Sequence, residues 1–364
     1  MRHPASALRR LASGPALALA LASAAATGCT AAEPAPEATI AFGPDTAPRL
    51  LQIRSTTDID LIAPILRAFS GQHPDLRIDY QQWGSNELYL TATQACAGQA
   101  QPADFLLSSA VDLQVQLVND GCAQSHVSAM TRALPATANW RNELFGLTRE
   151  PAVLVFNRAL VPPDEAPKSR FDLLDLLRRD GGPYDGKVAT YDIEASGLGY
   201  LFAFADAEQA TTFGSLLEGF GRAHSVATCC SAEIIAGVEQ GRWLVAYNVL
   251  GSNALARAAA NPDLAVVAPE DYTLMLQRAG LVPRGAANPA DAGALIDFLL
   301  SDTGRTLLAE AHLIVDPRDL AAPFAEGDAP VLRPIPLSPV LLVGNDRQRR
   351  ARFIELWRKT FPQP

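Results

Sequence analysis

Short apolar segments alternate with amphipathic segments along most of the chain. Residues 49–53 and 76–80 are typical of buried strands, and residues 60–71 between them carry apolar side chains at helical spacing. Further apolar segments at 103–107 and 187–191 are each followed by a polar loop. This alternation predicts an α/β fold in which mostly parallel strands are covered by helices on both faces.

The second half of the chain adds longer elements to this pattern. Residues 146–157 and 272–281 are extended apolar segments, and the first of them is long enough to cross between two groups of strands. Helical periodicity is found at 289–300, 303–310 and 346–360. The pattern therefore predicts a sheet-forming body with helices near its C-terminal end.

The first 29 residues have the layout of an export signal. A basic start from Arg2 to Arg10 precedes an uncharged Ala- and Leu-rich run at 11–26, which is too short to span a bilayer. The run ends in Ala-Thr-Gly-Cys, which resembles the lipobox of bacterial lipoproteins and implies lipidation of Cys29. The alternative is ordinary cleavage after a small residue, with Cys29 unmodified. Both alternatives place the product outside the cytoplasm.

Residues 30–48 are rich in Ala, Pro, Glu and Thr. They lack the apolar periodicity that could offset the entropy of ordering, so the composition predicts a flexible tether. The remaining chain is large for one hydrophobic core and sufficient for two lobes.

The charge balance argues against a nucleic-acid partner. The chain has 30 basic and 39 acidic residues, a net charge of −9, whereas phosphate neutralisation requires a basic surface. The basic cluster from Arg347 to Arg352 lies on a helical pattern and is interpreted as a solvated face. No second apolar run reaches transmembrane length.

The cysteines favour one disulfide and no metal site. In an oxidising compartment Cys96 and Cys122 are the simplest pair. Cys229 and Cys230 are adjacent, and adjacent cysteines do not easily satisfy disulfide geometry. Neither the cysteines nor the five histidines have the spacing of a metal site, so no metal or other cofactor is expected.

The sequence lacks the common catalytic signatures. No nucleophile elbow, zinc-protease helix motif or phosphate-binding P-loop is found. His224 and His312 have no evident catalytic partner in the sequence. We therefore do not expect an enzyme.

Candidate ligand-binding residues follow the predicted strands, because ligands of open α/β sheets lie beyond the carboxyl ends of the strands, at helix N-termini. The alternative for each hydroxyl is simple helix capping. Hydroxyl, amide and glycine groups in these loops favour binding of a small anion. The candidates are Arg54, Ser55, Thr56, Thr57, Ser108, Ser109, Ser196, Gly197 and Asn248.

Three more candidates lie on the long extended segments. Arg149 and Glu150 are placed where the first segment would cross between lobes, and Tyr272 begins the second. The guanidinium of Arg149 suits a carboxylate or phosphate. An interlobe salt bridge is the alternative for this pair.

Several stretches resemble type 2 periplasmic substrate-binding proteins of ABC transporters. They are Arg54-Ser-Thr-Thr57, residues 102–109 (PADFLLSS), residues 239–243 (EQGRW) and residues 285–304, the last resembling the iron(III)/sugar-phosphate branch. Within that branch, residues 111–120 and 332–337 resemble phosphoglycerate transport regulatory proteins.

The resemblance implies a two-lobed periplasmic-binding-protein type 2 fold with a hinge of crossing strands. It implies a first lobe at 49–148, a second lobe at 149–267, and a return to the first lobe with C-terminal helices at 268–364. The implied protein captures a small anionic metabolite, phosphorylated or carboxylated, in the periplasm. It delivers this ligand to the membrane subunits of an ABC transporter or presents it to a sensor kinase.

Ferric ion is the other ligand that the resemblance suggests. Ferric-binding members hold the metal with adjacent tyrosines, and no Tyr-Tyr pair exists in this sequence. The Ser-, Thr-, Arg- and Gly-containing loops therefore favour an oxyanion.

Overall fold

Two β-sheets, each covered by helices, form the body of the protein. The computed structural model describes residues 34–179, 181–209, 211–320 and 330–362. The predicted signal peptide and the lipidation residue Cys29 lie outside these residues. No helix in the described part of the chain is long and apolar enough to cross a membrane.

The first sheet has the order β1-β3-β2-β4-β14-β7-β6, and β5 pairs with β14. Its central strands β2, β3 and β4 are parallel, whereas β1 and β14 run antiparallel to their neighbours. We call this sheet and its helices the first lobe. Its strands are β1 (Ala38–Phe42), β2 (Arg49–Ser55), β3 (Leu76–Gln82), β4 (Phe105–Ser108), β5 (Ala123–Gln124), β6 (Asn139–Trp140), β7 (Leu144–Gly146) and β14 (Ala279–Pro283).

The second sheet has the order β10-β9-β11-β8-β13-β15, and β12 pairs with β8. Strands β9, β10 and β11 are parallel, and β8 runs antiparallel to its neighbours. We call this sheet and its helices the second lobe. Its strands are β8 (Glu150–Asn157), β9 (Val188–Tyr191), β10 (Val226–Thr228), β11 (Val245–Leu250), β12 (Leu264–Val267), β13 (Thr273–Leu276) and β15 (Leu332–Pro334).

Helices follow most of the parallel strands, as the alternating pattern predicted. They are α1 (Ile59–Gln72), α2 (Ser85–Cys96), α3 (Val111–Asn119), α4 (Ala129–Arg132), α5 (Arg170–Leu177), α6 (Gly197–Gln209), α7 (Phe213–Arg222), α8 (Ser231–Glu239), α9 (Gly251–Ala260), α10 (Pro289–Leu300), α11 (Asp302–Glu310), α12 (Leu342–Asn345) and α13 (Arg347–Thr360).

Two short connections pass directly between the sheets. Residues 147–149 join β7 to β8, and residues 277–278 join β13 to β14. In the first sheet β14 runs antiparallel to β4 and β7, and in the second sheet β8 runs antiparallel to β11, β12 and β13. The sheets are therefore mixed rather than mostly parallel, and each long extended segment of the sequence is two strands in different sheets.

The tether predicted for residues 30–48 is wrong in its second half. Ala38–Phe42 form β1, which pairs with the edge of β3 and places Ile40 opposite Tyr80 and Phe42 opposite Ile78. Phe42 is buried, and burial of one apolar face is what holds an edge strand in place.

The C-terminal end of the chain divides between the lobes. Strand β14 and helix α10 pack with the first lobe, where Leu295 and Ile296 are fully buried. Helix α13 instead places Trp357 in the apolar cluster of the second lobe, together with Phe220. The return to the first lobe predicted from residue 268 thus begins at β14, after β13 has completed the second sheet.

A disulfide joins Cys96 at the end of α2 to Cys122 after α3, with their Cα atoms 5.3 Å apart. It closes a loop across two helices of the first lobe, and such a cross-link stabilises mainly by restricting the unfolded chain. Cys229 and Cys230 lie in the second lobe, and the structure joins their Sγ atoms as a second disulfide, whereas the sequence favoured only one.

Candidate ligand-binding cleft

A cavity of about 370 Å³ lies between the two lobes. Its lining comes from the ends of parallel strands and the helix starts that follow them, as expected for this architecture. The first lobe contributes Glu37, Thr56, Asp58, Gln82, Trp83, Gly84, Ser85, Glu87 and Ser109; the second contributes Tyr191, Ala195, Ser196, Leu198, Cys229, Cys230, Ser231, Ala232, Leu250 and Asn253; Arg278 comes from the connection between them.

A pair of hydroxyls marks the first wall of the cavity. Thr56 follows β2 and Ser109 follows β4, and these strands are parallel neighbours in the sheet. Their Oγ atoms are 3.1 Å apart, and the backbone N–H of Ser109 donates to Thr56 Oγ1 at 2.9 Å. The two hydroxyls are therefore fixed relative to each other before any ligand binds.

A carboxylate lies beside this pair. Asp58 precedes α1 and accepts hydrogen bonds from Gln82 of β3 at 3.1 Å and from Asn253 of α9 at 2.5 Å. The bond from Asn253 crosses from the second lobe to the first. Burial raises the pKa of Asp58, because the charged form loses solvation.

The floor of the cavity is a buried ion pair on the two connections. Arg278 Nε donates to Glu150 Oε1 at 3.0 Å, and both side chains are almost completely buried. Arg278 Nη1 also donates to the carbonyl of Thr56 at 3.1 Å and to Thr57 Oγ1 at 3.2 Å. Ser252 of α9 donates to the other Glu150 oxygen at 2.5 Å. One charge pair thus holds both lobes at the hinge.

The second wall is built around a tyrosine. Tyr191 at the end of β9 has its hydroxyl 2.5 Å from Ser231 Oγ, and it accepts from the backbone N–H of Leu250 at 3.2 Å. Burial raises the pKa of Tyr191 to about 12, so the phenol is neutral at physiological pH. Ser196 nearby caps α6 by accepting from Gly199 N–H at 3.0 Å.

The lobes touch each other at the edge of the cavity. Gly197 N–H donates to Ser85 Oγ at 2.9 Å, and Asn86 Nδ2 donates to the carbonyl of Glu194 at 2.8 Å. With the bond from Asn253 to Asp58, these contacts hold the cleft in a closed arrangement.

Five helices start at the cavity without a side-chain cap. Within the described residues, the N-cap side chains of α1, α2, α3, α8 and α9 accept no hydrogen bond from the first helical turn. The first N–H groups of a helix have no partner inside the helix, and the helix dipole makes this end partly positive. The carboxylates of Glu37 and Glu87 lie at the exposed rim of the same cavity.

Three of the predicted ligand-binding residues line the cavity: Thr56, Ser109 and Ser196. Their immediate neighbours turn inward and serve the fold. Ser55 accepts from Thr57 N–H, and Ser108 accepts from Ala110 N–H. Because side chains alternate along a strand and its extension, only every second residue of such a loop reaches the ligand space.

Arg54 and Arg149 lie away from the cleft. Arg54 faces α2 and the Cys96–Cys122 disulfide, beside the ring of Trp83. Arg149 lines a separate cavity of about 520 Å³ at the back of the connections. Both arginines were predicted to contact the ligand, and neither lines the cleft. Glu150, which was predicted with them, is the buried partner of Arg278 at the cleft floor.

The remaining predicted residues are structural. The backbone N–H of Gly197 is used by the contact to Ser85. Asn248 and Tyr272 both donate to Asp206, which also pairs with the buried Arg170. Asn248 and Tyr272 therefore stabilise the second lobe, and none of these three predicted residues lines the cavity.

Several lining residues were missed by the sequence. Trp83 and Ser85 directly follow β3, so the rule applied to the other strands would have found them. Asn253 and Arg278 lie on elements whose position depends on how the lobes face each other, and no local signal marks them.

The sequence and structure were compared with known proteins. The family model for bacterial extracellular solute-binding proteins matches residues 53–313. A substrate-binding protein of an ABC transporter from Agrobacterium tumefaciens is 34% identical, with a TM-score of 0.82, and the match covers 91% of this chain and 100% of that one.

More distant structures share the fold. Iron-bound HitA from Pseudomonas aeruginosa is 16% identical, with a TM-score of 0.63 and coverage of 86% of this chain and 99% of that one. AfuA from Actinobacillus pleuropneumoniae, with fructose-6-phosphate bound, is 16% identical, with a TM-score of 0.67 and coverage of 87% and 100%. A search of curated proteins finds no significant match. The chain belongs to the family of bacterial extracellular solute-binding proteins, with the two-lobed type 2 periplasmic-binding-protein fold.

Proposed function

We propose that the cleft captures a small anionic metabolite, phosphorylated or carboxylated, for delivery to an ABC permease. The observation that carries the proposal is the meeting of five uncapped helix N-termini at one cavity. The positive ends of these helices favour phosphate or carboxylate. Binding, rather than catalysis, is also the role of the family.

The basic side chain in the cleft lining does not act as the main anion ligand. Arg278 is already bonded to Glu150, Thr56 and Thr57. The hydroxyls of Thr56 and Ser109 instead stand just before α3, at the positive end of its helix dipole, where an oxyanion would receive O–H donors. We infer that backbone dipoles and hydroxyls bind the anionic group.

The acidic side of the cleft suits the rest of the ligand. Asp58 is a hydrogen-bond acceptor, and the ring of Trp83 offers an apolar surface beside it. A hydroxylated carbon skeleton would donate to Asp58 and pack on Trp83. A phosphorylated polyol meets both requirements, and AfuA, whose structure contains fructose-6-phosphate, shares this fold.

Capture is proposed to occur by closure at the two connections. Contacts such as Gly197 with Ser85 form only when the lobes meet, whereas the Glu150–Arg278 pair lies at the hinge. A ligand that bonds to both walls stabilises the closed form. The closed form is what a permease or a membrane sensor kinase would recognise, and family membership favours the permease.

Ferric ion has weaker support as the ligand. Tyr247 and Tyr272 donate to Asp206 in the core of the second lobe. Tyr191 lines the cleft, but its hydroxyl is bonded to Ser231 and its pKa is raised to about 12, which opposes the phenolate that would bind iron.

Location follows from the family, which acts outside the cytoplasm. We propose in addition that lipid on Cys29 keeps the protein at the membrane. Mass spectrometry of the protein isolated from membranes would detect the acylated N-terminal peptide. A mature chain that begins at another residue would contradict this.

A thermal-shift screen against phosphate esters, carboxylates and ferric ion tests the ligand class. A ligand at 100 times its Kd is expected to add about 2.7 kcal/mol of stability. A shift with ferric ion alone would overturn the proposal. Once a ligand is found, Ser109→Ala is expected to weaken binding about tenfold in a calorimetric titration, because a hydrogen bond to a charged group is lost.

The matched control for Ser109 is Ser301→Ala. Ser301 caps α11 by accepting from Gly304 N–H at 3.1 Å and does not line the cleft. This variant is expected to lose stability and keep its affinity. Equal affinities for both variants and the wild type would remove Ser109 from the site.

A further inference from the structure

A second cavity lies at the back of the two connections, and it is larger than the cleft cavity. Its volume is about 520 Å³, against about 370 Å³ for the cleft. We call it the rear cavity. Its lining includes Arg149, which the sequence suggested as a carboxylate ligand but which does not line the cleft. We propose that the rear cavity binds a second ligand, an amphipathic carboxylate with an apolar chain, independently of the cleft.

The charged side chains that line the rear cavity are basic. Arg149 and Arg305 line it, and among the described residues no aspartate or glutamate does. This lining contrasts with the chain as a whole, whose net charge is −9. A guanidinium presents several N–H donors in a plane that matches a carboxylate, so two guanidinium groups favour an anionic head group.

The backbone of Arg149 is held in place on both sides. Its N–H donates to the carbonyl of Leu313 at 2.8 Å, and its carbonyl accepts from the N–H of Val315 at 2.8 Å. The residue is exposed. Hydrogen bonds from Arg318 are the main cause of a lowered pKa at Asp316, to which the charge of Arg149 also contributes, but Asp316 lies outside the lining. Arg149 is therefore fixed by its backbone, and its side chain is accessible to a ligand.

Arg305 of α11 is a partly buried cation. Its Nη1 donates to the carbonyl of Leu147, on the first connection, at 2.7 Å. Burial lowers the pKa of Arg305, because the guanidinium loses solvation, but an arginine remains protonated at physiological pH. An anion in the rear cavity would replace part of the stabilisation that solvent gives to an exposed guanidinium.

The rest of the lining is largely apolar. Leu134 follows α4 of the first lobe, Met275 and Leu276 lie on β13, and Ile335 follows β15 of the second lobe. Cavities of a few hundred Å³ with apolar walls and few polar groups are typical of small-molecule sites. A polyol would leave its hydroxyls unpaired against these walls, whereas an alkyl chain would be buried favourably. An amphipathic carboxylate therefore fits both parts of the lining, and it would contact both lobes.

The test is a calorimetric titration of the full mature protein with octanoate. We expect one site per chain. Hexanoate should bind about tenfold more weakly, because it buries two fewer methylene groups. Arg149→Gln should weaken octanoate binding at least about tenfold, because hydrogen bonds to a charged group are lost. Arg149→Lys keeps the charge but not the planar fork, so its affinity should lie between those of Arg149→Gln and the wild type.

The matched control is Arg132→Gln. Arg132 is an exposed arginine of α4 that does not line the rear cavity, although its neighbours Met130 and Ala133 do. This variant should bind octanoate as the wild type does, and thermal melting checks that each variant is folded. Equal octanoate affinity in Arg149→Gln and the wild type would overturn the proposal. So would the absence of octanoate binding by the wild type at millimolar concentration.

Ser109→Ala separates the rear cavity from the cleft. It should leave octanoate affinity unchanged, because Ser109 lines the cleft and not the rear cavity. A loss of octanoate affinity in Ser109→Ala, with wild-type affinity in Arg149→Gln, would place octanoate in the cleft and overturn the proposal. The ligand proposed for the cleft is judged by the opposite pattern, a loss of affinity in Ser109→Ala and none in Arg149→Gln.

Discussion

Five of the helices that start at the cleft differ from those that start on the outer surface, whereas α6, which also starts there, is capped by Ser196. On the outer surface, Ser128 and Ser169 form complete capping boxes at α4 and α5, and Ser301 and Asp346 cap α11 and α13. At the cleft, five helices begin without such a bond. A cap stabilises a helix by about 0.5–2 kcal/mol, so the cleft forgoes stability that the outer surface uses.

The missing caps alone do not define a binding site. Helices α7 and α10 also lack side-chain caps, and they start elsewhere. The cleft is distinguished by the meeting of several uncapped starts at one cavity, next to hydroxyls that are already fixed in place. The comparison teaches that several helix starts without side-chain caps at one cavity are as informative as the side chains that line it.

The largest effect is expected at the hinge. Glu150→Ala leaves Arg278 buried without its partner, which should lower the free energy of unfolding by about 3–5 kcal/mol. Glu218→Ala removes an exposed partner of Arg222 on the outer surface and should cost no more than about 1 kcal/mol. Urea unfolding measures both.

Similar urea midpoints for the two variants would contradict the difference drawn between the hinge and the surface. If Glu150→Ala does not fold, Glu150→Gln provides the measurement, because it keeps the side-chain volume and one acceptor oxygen while it removes the charge.

A smaller effect is expected from an outer cap. Ser169→Ala removes the bond that Ser169 Oγ accepts from Asp172 N–H and should lower stability by about 1 kcal/mol. Ligand affinity should be unchanged, since Ser169 lies outside the cleft lining. Paired thermal melts and titrations would reveal a loss of affinity, which would mean that the outer and inner helix starts are coupled.

The smallest effect is a pH dependence at Asp58. Burial raises its pKa in the folded protein above the value in the unfolded chain, so the unfolded state ionises first as the pH rises. Ionisation of Asp58 therefore costs folding stability above about pH 4. Asp58→Asn should gain stability relative to the wild type between pH 4 and pH 7 in the absence of ligand.

The control for Asp58 is Asp346→Asn at the outer cap of α13, whose oxygen accepts from Arg349 N–H at 3.0 Å. This variant is not expected to gain stability over the same pH range. The measurement compares the urea midpoints of Asp58→Asn, Asp346→Asn and the wild type at pH 4 and at pH 7. A gap between Asp58→Asn and the wild type that narrows as the pH rises would show that the sign is wrong.

The sequence predicted the architecture better than the site. Apolar segments followed by polar loops correctly indicated β2, β4 and β9 and brought Thr56, Ser109 and Ser196 to one cavity, because the carboxyl ends of parallel strands share an edge. It could not show which alternate residues of each loop face inward.

Local sequence patterns could not predict contacts between residues that lie far apart in the chain. Glu150 was interpreted as a ligand contact, with an interlobe salt bridge as the alternative for its segment. Its actual partner, Arg278, lies 128 positions away and is brought to it only by the two connections. Likewise, Asn253 reaches Asp58 only because the lobes close.

Strand β1 changes the mechanics of the proposed membrane anchor. It pairs with the edge of the first lobe from Ala38 onward, so only eight residues (30–37) separate that point from Cys29. Fully extended, they reach about 30 Å. A lipid on Cys29 would therefore hold the first lobe near the bilayer. The second lobe, which has no such attachment, would be the lobe that moves when the cleft opens and closes.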